Sequence, residues 1–188
     1  SEEDQRNYFR IIQSNSDLLL RLINDILDLS RLEANKVILT PEDCDVVQLC
    51  RQALSSVEMS RRESGNRFVF ETKTDSFVLQ TDIQRLQQVL INLLTNAAKF
   101  TKNGTITLQF EVEKEKNRVL FAVADTGCGI PKEKQKQVFE RFEKLNEYAQ
   151  GTGLGLSICK LTVDKWGGDI WIDPDYEDGA RFVVSHPL

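Results

Sequence analysis

Residues 105–113 alternate strictly between polar and apolar side chains, in the order T-I-T-L-Q-F-E-V-E. Side chains of a β-strand point to opposite faces in turn, so this pattern predicts a strand with one buried and one wet face. Residues 114–117, K-E-K-N, read as a polar turn, and residues 118–125 (R-V-L-F-A-V-A-D) return as a second strand. A hairpin of this kind favours an antiparallel sheet that helices cover on one side.

Other segments show the periodicity of helices or of further strands. Helices are predicted from 46 through 57 and on to near Gly65, and at 82–99 and 153–166, with Asp45 as a favourable N-cap for the first. The other predicted elements are strands at 37–40, 68–72, 77–80, 169–173 and 181–185 and a short helix at 131–142. Together these elements predict an α+β fold, a two-layer α/β sandwich with a mixed, mostly antiparallel sheet and its helices on one face.

The first 35 residues predict one long helix with a wide apolar stripe. The stripe consists of Phe9, Ile12, Leu19, Ile23, Ile26 and Leu29, widened by Ile11, Leu18, Leu22 and Leu27. A stripe this wide is typical of a helical bundle, so we expect a partner from another copy of the chain or from sequence that is missing here, and a homodimer through residues 8–32. The alternative is that the helix docks on its own domain. The polar turn before Pro41 indicates a boundary between domains at 1–36 and 37–188.

Composition and charge exclude several classes of function. The chain has 188 residues, 40% hydrophobic and 28% charged, which is the balance of a globular protein. A net charge of −5 without a basic stripe argues against nucleic-acid binding. The chain has no apolar run of about eighteen residues, so no direct membrane insertion is expected. Its four cysteines form no CxxC pair or zinc-type cluster, and such reduced thiols indicate a cytoplasmic location.

Two amides and an ammonium share one face of the helix predicted at 82–99. Asn92, Asn96 and Lys99 are four and three positions apart, so they project together from an otherwise apolar helix. An amide oxygen is a hard ligand that suits magnesium, and a lysine places a positive charge beside a phosphate. The competing interpretation is that polar residues at a helix end bond locally, near Thr101 and Gly104. We refer to residues 92–101 as the amide segment.

Two later segments are rich in glycine. The aspartate segment, 125–130 (D-T-G-C-G-I), ends an apolar strand with a carboxylate that can accept from an exocyclic amine such as that of adenine. The glycine segment, 151–156 (G-T-G-L-G-L), opens a predicted helix whose unpaired N–H groups attract phosphate. Taken singly, the first is most often a plain turn, and the second follows neither the Rossmann nor the P-loop order.

All three segments occur in this order, with F-E-R-F at 139–142 between the last two. In this respect the sequence resembles the ATP-binding domain of sensor histidine kinases, in the wider gyrase, heat-shock chaperone and histidine kinase ATPase superfamily. The amide segment resembles the N box of that family, residues 139–142 its F box, and the other two segments its glycine boxes. Residues 8–35 resemble the second helix of its dimerisation and phosphotransfer hairpin. The resemblance implies a Bergerat-type fold preceded by one long helix.

The resemblance further implies a catalytic fragment of a two-component sensor kinase that binds ATP and Mg²⁺ and transfers the γ-phosphate. It assigns magnesium to Asn96 with Asn92 beside it, catalysis to Asn96 and Lys99, and the adenine amine to Asp125. The other implied nucleotide contacts are Gly127, Gly129, Ile130, Gly151, Thr152, Gly153, Leu154 and Gly155. It implies a mobile lid at 143–150. The implied partners are the acceptor-histidine helix of the full-length kinase and a response-regulator receiver domain, in a bacterial cytoplasm, and the parent protein can be an inner-membrane sensor.

Three positions qualify the resemblance. Members that hydrolyse ATP carry a glutamate at the place of Asn92, and an amide cannot act as a general base, so transfer rather than hydrolysis is expected. The family usually has a hydroxyl residue where this chain has Ala180, two positions before the phenylalanine of the last strand. The only histidine, His186, matches the closing strand and not the acceptor motif. We therefore expect the first hairpin helix to be absent and autophosphorylation not to occur.

Three other functions stay open. A nucleotide-binding regulatory module without transfer activity is compatible with Ala180 and with the missing acceptor. A hydrolytic ATPase of the gyrase or chaperone type is disfavoured by Asn92. A serine kinase that acts on a bacterial partner protein uses a similar pocket, but the bundle-like helix at 1–35 disfavours it.

Overall fold

The computed structural model describes residues 1–61, 64–143 and 151–188. Within them the helices are α1 (Glu2–Glu33), α2 (Val46–Ser60), α3 (Ile83–Phe100) and α4 (Gly155–Lys165). The strands are β1 (Glu42–Asp45), β2 (Arg67–Thr72), β3 (Val78–Thr81), β4 (Thr105–Glu113), β5 (Arg118–Asp125), β6 (Ile170–Ile172) and β7 (Ala180–Pro187). Short 3₁₀ turns lie at Lys114–Lys116, Lys132–Lys134 and Gln137–Phe139.

Five strands form the main sheet, in the order β2-β4-β5-β7-β6. β2 and β4 are parallel and all the other neighbours are antiparallel, while β1 and β3 form a separate antiparallel pair. The register aligns buried side chains across the sheet on one face, for example Leu108 beside Val123 and Val123 beside Phe182. Helices α2, α3 and α4 share one apolar core with this face. The predicted α+β two-layer sandwich with a mixed, mostly antiparallel sheet is therefore confirmed.

Helix α3 occupies the centre of the helical layer and contacts both α2 and α4. Its N-cap is Asp82, whose carboxylate accepts from the Arg85 N–H at 3.0 Å. Its apolar face is almost fully buried, through Leu86, Val89, Leu90, Leu93 and Leu94. Each such side chain contributes about 1.5–3 kcal/mol on burial, so this face fixes the rotation of the helix. The amides of the amide segment are thereby held at the edge of the core.

Helix α1 divides into an exposed part and a docked part. Residues 1–20 are all exposed, and Phe9 and Ile12 are 76% and 63% accessible. Near the other end, Leu29 and Leu32 are buried in a cluster with residues of α4 and of the segment before it. The prediction that α1 finds no partner in its own domain is therefore wrong for its last turns. Leu22 also packs against this cluster, whereas the other stripe residues from Phe9 to Leu27 are exposed, and self-association through them stays a prediction.

Polar contacts reinforce the docked end of α1. Asp28 accepts two bonds of 2.8 Å from the Arg85 guanidinium and one of 3.0 Å from the Gln88 amide. Asp28 and Arg85 are each only about one-fifth exposed, a depth at which an ion pair is screened less than it is at a surface. These bonds hold α1 against the first turns of α3. The hydrophobic pattern of the sequence could not predict them, because they join polar side chains.

Two sequence-based assignments were wrong in detail. Residues 37–40 form no strand. The first strand is Glu42–Asp45. Its acidic residues are unfavourable for β structure, so the sequence did not predict a strand there. Residues 131–142 form two 3₁₀ turns instead of a helix. Here Phe142 takes a left-handed φ of 58° and donates its N–H to the Gly153 carbonyl at 2.9 Å, which a continuing helix would not permit.

Two further properties concern the whole described part of the chain. No helix there is long and apolar enough to cross a lipid bilayer. All four cysteines are unbridged; Cys44, Cys50 and Cys159 are buried and Cys128 is exposed.

Candidate functional site

A cavity of about 750 Å³ lies between α1 and the sandwich. On the sandwich side it is lined by Asn92, Asn96 and Lys99 of α3 and by Gly151, Thr152, Gly153 and Gly155 before and at the start of α4. The α1 side contributes, among others, Arg10, Leu18, Arg21 and Asp25. Two of the three predicted segments, the amide segment and the glycine segment, therefore face one cavity although they lie about fifty residues apart along the chain.

Asn92 is held by helix α4. Its amide nitrogen donates to the Gly155 carbonyl at 3.4 Å and to the Cys159 sulfur at 3.7 Å. A carbonyl can only accept, so the nitrogen must face α4, and the amide oxygen is the atom left for a ligand. Burial raises the pKa of the Cys159 thiol to about 12, so the sulfur stays protonated and acts as a weak acceptor.

Lys99 brings positive charge to the glycine segment. Its Nζ lies 3.0 Å from the position that a Cβ on Gly151 would occupy, so the ammonium and the Gly151 backbone are in close contact. The same ammonium lies 5.0 Å from the centre of the Phe100 ring, within the range of a cation–π interaction. At Gly151 φ is 135°, a conformation that favours glycine, and a larger residue there would also displace the lysine.

The N-terminus of α4 follows directly. Leu154 occupies its N-cap position and supplies no side-chain cap within the described part of the chain. The first N–H groups of a helix have no intrahelical acceptor and carry partial positive charge, which attracts anions. The Leu154 side chain itself is fully buried beneath α1 and does not line the cavity. Leu154 therefore lies at the site only through its backbone, whose N–H is bonded to the Thr152 hydroxyl at 3.3 Å.

Thr152 connects the glycine segment to α1. Its hydroxyl donates to Asp25 Oδ2 at 2.7 Å and accepts from the Leu154 N–H at 3.3 Å. This contact places the middle of α1 directly beside the positive end of α4. Sequence reasoning missed Asp25, because nothing in the pattern of α1 distinguishes it from the other acidic residues on that helix.

Asp125 ends strand β5 and is only 4% exposed. Its Oδ1 accepts from the Gly127 N–H at 2.8 Å and from the Ala180 N–H at 3.4 Å. Burial raises the pKa of the carboxyl, and these two bonds and the Thr101 hydroxyl partly offset that effect. Both backbone bonds go to Oδ1, so Oδ2 is the carboxylate oxygen that these backbone groups leave unoccupied. Tyr176 donates its hydroxyl to the Asp125 carbonyl at 3.1 Å and braces the strand end.

The aspartate segment does not line the 750 Å³ cavity, although the sequence predicted one common pocket. Gly127 lies instead beside the C-terminal end of α3, where a Cβ would approach the Phe100 carbonyl to 2.4 Å and Asp125 Oδ1 to 2.9 Å, while a Cβ on Gly129 would meet the Gly179 backbone. Ile130 packs against the core. Helix α3 therefore joins the two halves of the site, because Lys99 meets the glycine segment and the next residues meet the aspartate segment.

Three features outside these segments complete the description. Phe139 packs edge-on against Phe182 with ring centroids 6.1 Å apart, which ties the F-E-R-F segment to the sheet. His186 is 5% exposed in β7, next to the Trp166 ring, and burial lowers its pKa; this placement agrees with a structural role. The predicted lid at 143–150 falls, from residue 144 onwards, outside the described residues.

Comparison with known proteins agrees with this geometry. The family described as histidine kinase-, DNA gyrase B- and HSP90-like ATPase matches residues 81–188, and the His Kinase A (phospho-acceptor) domain matches residues 1–35. The circadian input-output histidine kinase CikA of Synechococcus elongatus is 38% identical over 98% of this chain, which spans only 25% of that relative.

Two solved structures share the fold over nearly the whole chain. Full-length ShkA, in complex with AMPPNP, has a TM-score of 0.87 and 31% identity, and the match covers 98% of this chain and 39% of that one. The histidine kinase ThkA, in complex with the response regulator protein TrrA, has a TM-score of 0.79 and 29% identity, covering 100% and 52%. The resemblance stated from the sequence is thus confirmed, and the chain belongs to the histidine kinase-, DNA gyrase B- and HSP90-like ATPase family.

Proposed function

We propose that this chain binds ATP with magnesium and transfers the γ-phosphate to a histidine carried by a helical hairpin partner. The observation that supports it best is the meeting of the Asn92 amide, the Lys99 ammonium and the positive end of α4 at one cavity. Phosphoryl transfer needs little covalent chemistry from a protein, so positioning and charge neutralisation are what a site must supply. This arrangement offers both.

Magnesium would be held by Asn96, with Asn92 beside it. Both residues are half-buried on the cavity wall, and Asn92 bonds to α4 through its amide nitrogen, which leaves its amide oxygen for a ligand. Amide oxygens are hard ligands, and magnesium in nucleotide sites is typically held by few protein ligands together with the phosphates, so the residues present fit the ion. When bound, it would neutralise phosphate charge.

The phosphates would lie between Lys99 and the glycine segment. Lys99 adds a cation, and Gly151, Thr152, Gly153 and Gly155 present backbone N–H groups at or near the start of α4. Lys99 and Asn96 are the proposed catalytic residues, since both would touch the reacting phosphate or its metal ion. Because the Asn92 amide cannot take a proton from water, transfer is favoured over hydrolysis.

The adenine ring would bind at the aspartate segment. Asp125 would accept from the exocyclic amine through Oδ2, with Gly127, Gly129 and Ile130 shaping the surface around it. The AMPPNP complex of ShkA supports adenine nucleotide binding, because that protein shares its fold with nearly all of this chain. On the same basis the bound nucleotide would extend past the C-terminal end of α3, with its phosphates near Lys99 and its adenine near Thr101.

The proposed partners follow from α1 and from the relatives. The match of residues 1–35 to the phospho-acceptor domain supports a domain boundary near residue 36, and the uncovered stripe on α1 suits a homodimer through residues 8–32. The ThkA–TrrA complex supports a response-regulator receiver domain as a further partner. We also propose a cytoplasmic site of action for this part of the protein.

A transfer assay tests the proposed activity. A separate two-helix polypeptide, with a histidine on its first helix and residues 1–35 of this chain as its second, is mixed with the protein and γ-labelled ATP–magnesium. We expect label on the polypeptide, lost when its histidine is replaced by alanine and reduced at least tenfold in Lys99→Ala. Lys102→Ala, an exposed lysine three positions further on, is the matched control and is expected to keep full transfer.

Each alternative function has its own outcome in this assay. If ATP binds but no histidine is labelled, the chain is a regulatory nucleotide-binding module. Phosphate release at many turnovers per minute without an acceptor would instead identify a hydrolytic ATPase. Label that resists acid and resides on serine would identify a serine kinase.

A further inference from the structure

A closed set of hydrogen bonds joins Asp28 of α1 to the first turns of α3. The Arg85 guanidinium donates to both oxygens of Asp28 at 2.8 Å and to the Gln88 amide oxygen at 2.9 Å. The Gln88 nitrogen donates in turn to Asp28 at 3.0 Å, so each of the three side chains bonds to the other two. All three are half-buried, and removing one would leave polar groups of the others unsatisfied. We refer to Asp28, Arg85 and Gln88 as the interhelical triad.

The interhelical triad lies on the same face of α3 as the proposed phosphate site. Asn92, Asn96 and Lys99 follow Arg85 by seven, eleven and fourteen positions, which are about two, three and four turns of an α-helix. Arg85 and Asn96 are therefore about 16 Å apart along the axis of one helix. The buried apolar face of α3 holds that helix in one orientation in the core. Fixing Arg85 against α1 thereby also fixes the phosphate site against α1.

Apolar packing alone would leave the placement of α1 less well defined. Leu29 and Leu32, which follow Asp28, pack against Leu154 and Ile158 in a small cluster. Apolar attraction depends on the area removed from water and is non-directional, so such a contact tolerates sliding and rotation. Hydrogen bonds between charged groups require narrow ranges of length and angle. The interhelical triad therefore sets the register and the rotation of α1 on the sandwich.

A second carboxylate of α1 makes a contact of the same kind. Asp25, three positions before Asp28, accepts from the Thr152 hydroxyl at 2.7 Å. α1 is thus bonded both to α3 and to the glycine segment, which border the cavity from the sandwich side. The triad itself stands apart from the cavity, because none of its three residues lines it. Substitutions in the triad therefore leave the proposed nucleotide contacts in place.

We propose that Asp28, Arg85 and Gln88 are positioning residues for phosphoryl transfer, which hold the phosphate site where the γ-phosphate reaches the acceptor histidine of the hairpin. This inference rests on the proposed function, because it concerns transfer to the hairpin whose second helix is α1. Transfer depends steeply on placement, and an error of about 1 Å can cost roughly 100-fold in rate. The proposed nucleotide contacts all belong to the sandwich, so ATP affinity does not depend on this placement.

Transfer kinetics distinguish positioning from binding. The full chain is extended before Ser1 by a short loop and a histidine-bearing helix that completes the hairpin, and labelling of the histidine is followed at several magnesium-ATP concentrations. In Arg85→Ala we expect the rate at saturating ATP to fall at least tenfold, while the half-saturating ATP concentration stays within about twofold. Arg118→Ala is the matched control, because Arg118 forms an ion pair of similar exposure with Glu113 inside the sandwich. It should leave both values unchanged.

Exchanging the two charges of the triad provides a rescue. Asp28→Arg alone should reduce the rate as Arg85→Ala does, because it sets two cations against each other. Asp28→Arg combined with Arg85→Asp restores an ion pair, and the Gln88 amide can present its oxygen in place of its nitrogen. An acidic side chain also suits the first turn of α3, where the helix carries partial positive charge. We expect the double variant to recover to within about threefold of the parent rate.

The placement of α1 is measured in the chain without an added acceptor. Spin labels on Ser16→Cys in α1 and Ser56→Cys in α2, both exposed positions, report the distance between α1 and the sandwich. Cys128→Ser removes the one exposed cysteine among the four. We expect a narrow distribution of distances in the parent and in Arg118→Ala, and a broad one in Arg85→Ala.

The outcomes separate the inference from the function on which it rests. No label on the histidine of the unsubstituted extended chain would remove the proposed transfer function, and the inference with it. An unchanged rate in Arg85→Ala would overturn the inference and leave the function standing. A reduced rate that the charge exchange does not restore, or that accompanies an unchanged label distance, would show that Arg85 does not act by positioning. An equal loss in Arg118→Ala would assign the effect to general stability, against the proposal.

Discussion

Replacing Asp125 with asparagine is expected to weaken ATP binding by roughly 30- to 150-fold, or about 2–3 kcal/mol. The carboxylate accepts two backbone bonds through Oδ1, which fixes Oδ2 for the base, and an asparagine nitrogen in that place would oppose the adenine amine. Calorimetric titration with magnesium-ATP measures the loss. Asp75→Asn, at an exposed position between β2 and β3, is the control and should bind as the parent does. Undiminished affinity in Asp125→Asn would remove Asp125 from the site.

The dependence of ATP affinity on pH should follow the protonation of the same Asp125 carboxyl. Burial raises the pKa of Asp125, and only the ionised form accepts from an amine, so affinity should fall with acidification at a higher pH than for an ordinary aspartate. The effect on stability has the opposite sign. A raised carboxyl pKa means that the folded state binds more protons than the unfolded state, so this residue costs stability as pH rises through that pKa. Asp125→Asn should therefore gain stability relative to the parent at neutral pH.

Replacing Asn96 with alanine is the substitution with the other large expected effect. Transfer to the acceptor hairpin should fall at least 100-fold, because removing one group that stabilises developing charge typically costs that much. ATP affinity should also become nearly the same with and without magnesium, since the hard oxygen ligand at the cavity is gone. Gln84→Ala, an exposed amide in the first turn of α3, is the matched control. Retained magnesium dependence in Asn96→Ala would assign the metal ion to other residues.

Local patterns were sufficient for most of the sandwich. The strands Thr105–Glu113 and Arg118–Asp125 have the predicted bounds, because one buried face imposes period-two alternation wherever a sheet borders solvent. Asp45 and Asp82 cap the helices that follow them, since capping depends on neighbouring N–H groups alone.

Other features depend on contacts between distant parts of the chain. Asp25 meets Thr152 across 127 positions, and Arg85 meets Asp28 across 57, and no local periodicity encodes such pairs. The strand Glu42–Asp45 forms because β3 offers it a partner, against the preference of its acidic residues.

The candidate site shows the same division. The residues of the amide, aspartate and glycine segments could be identified as candidates from their spacing and from the resemblance to the family. The role of Tyr176 could not be predicted from the sequence, because its hydroxyl bonds the carbonyl at the end of β5 from 51 positions away.

The most direct test of the central proposal is a calorimetric titration of the unsubstituted chain with ATP, with and without magnesium, and with GTP for comparison. The proposed site predicts saturable binding of one ATP per chain, strengthened by magnesium and much weaker for GTP. Binding that does not saturate, or that is the same with and without magnesium, would contradict the assignment of this cavity to magnesium-ATP.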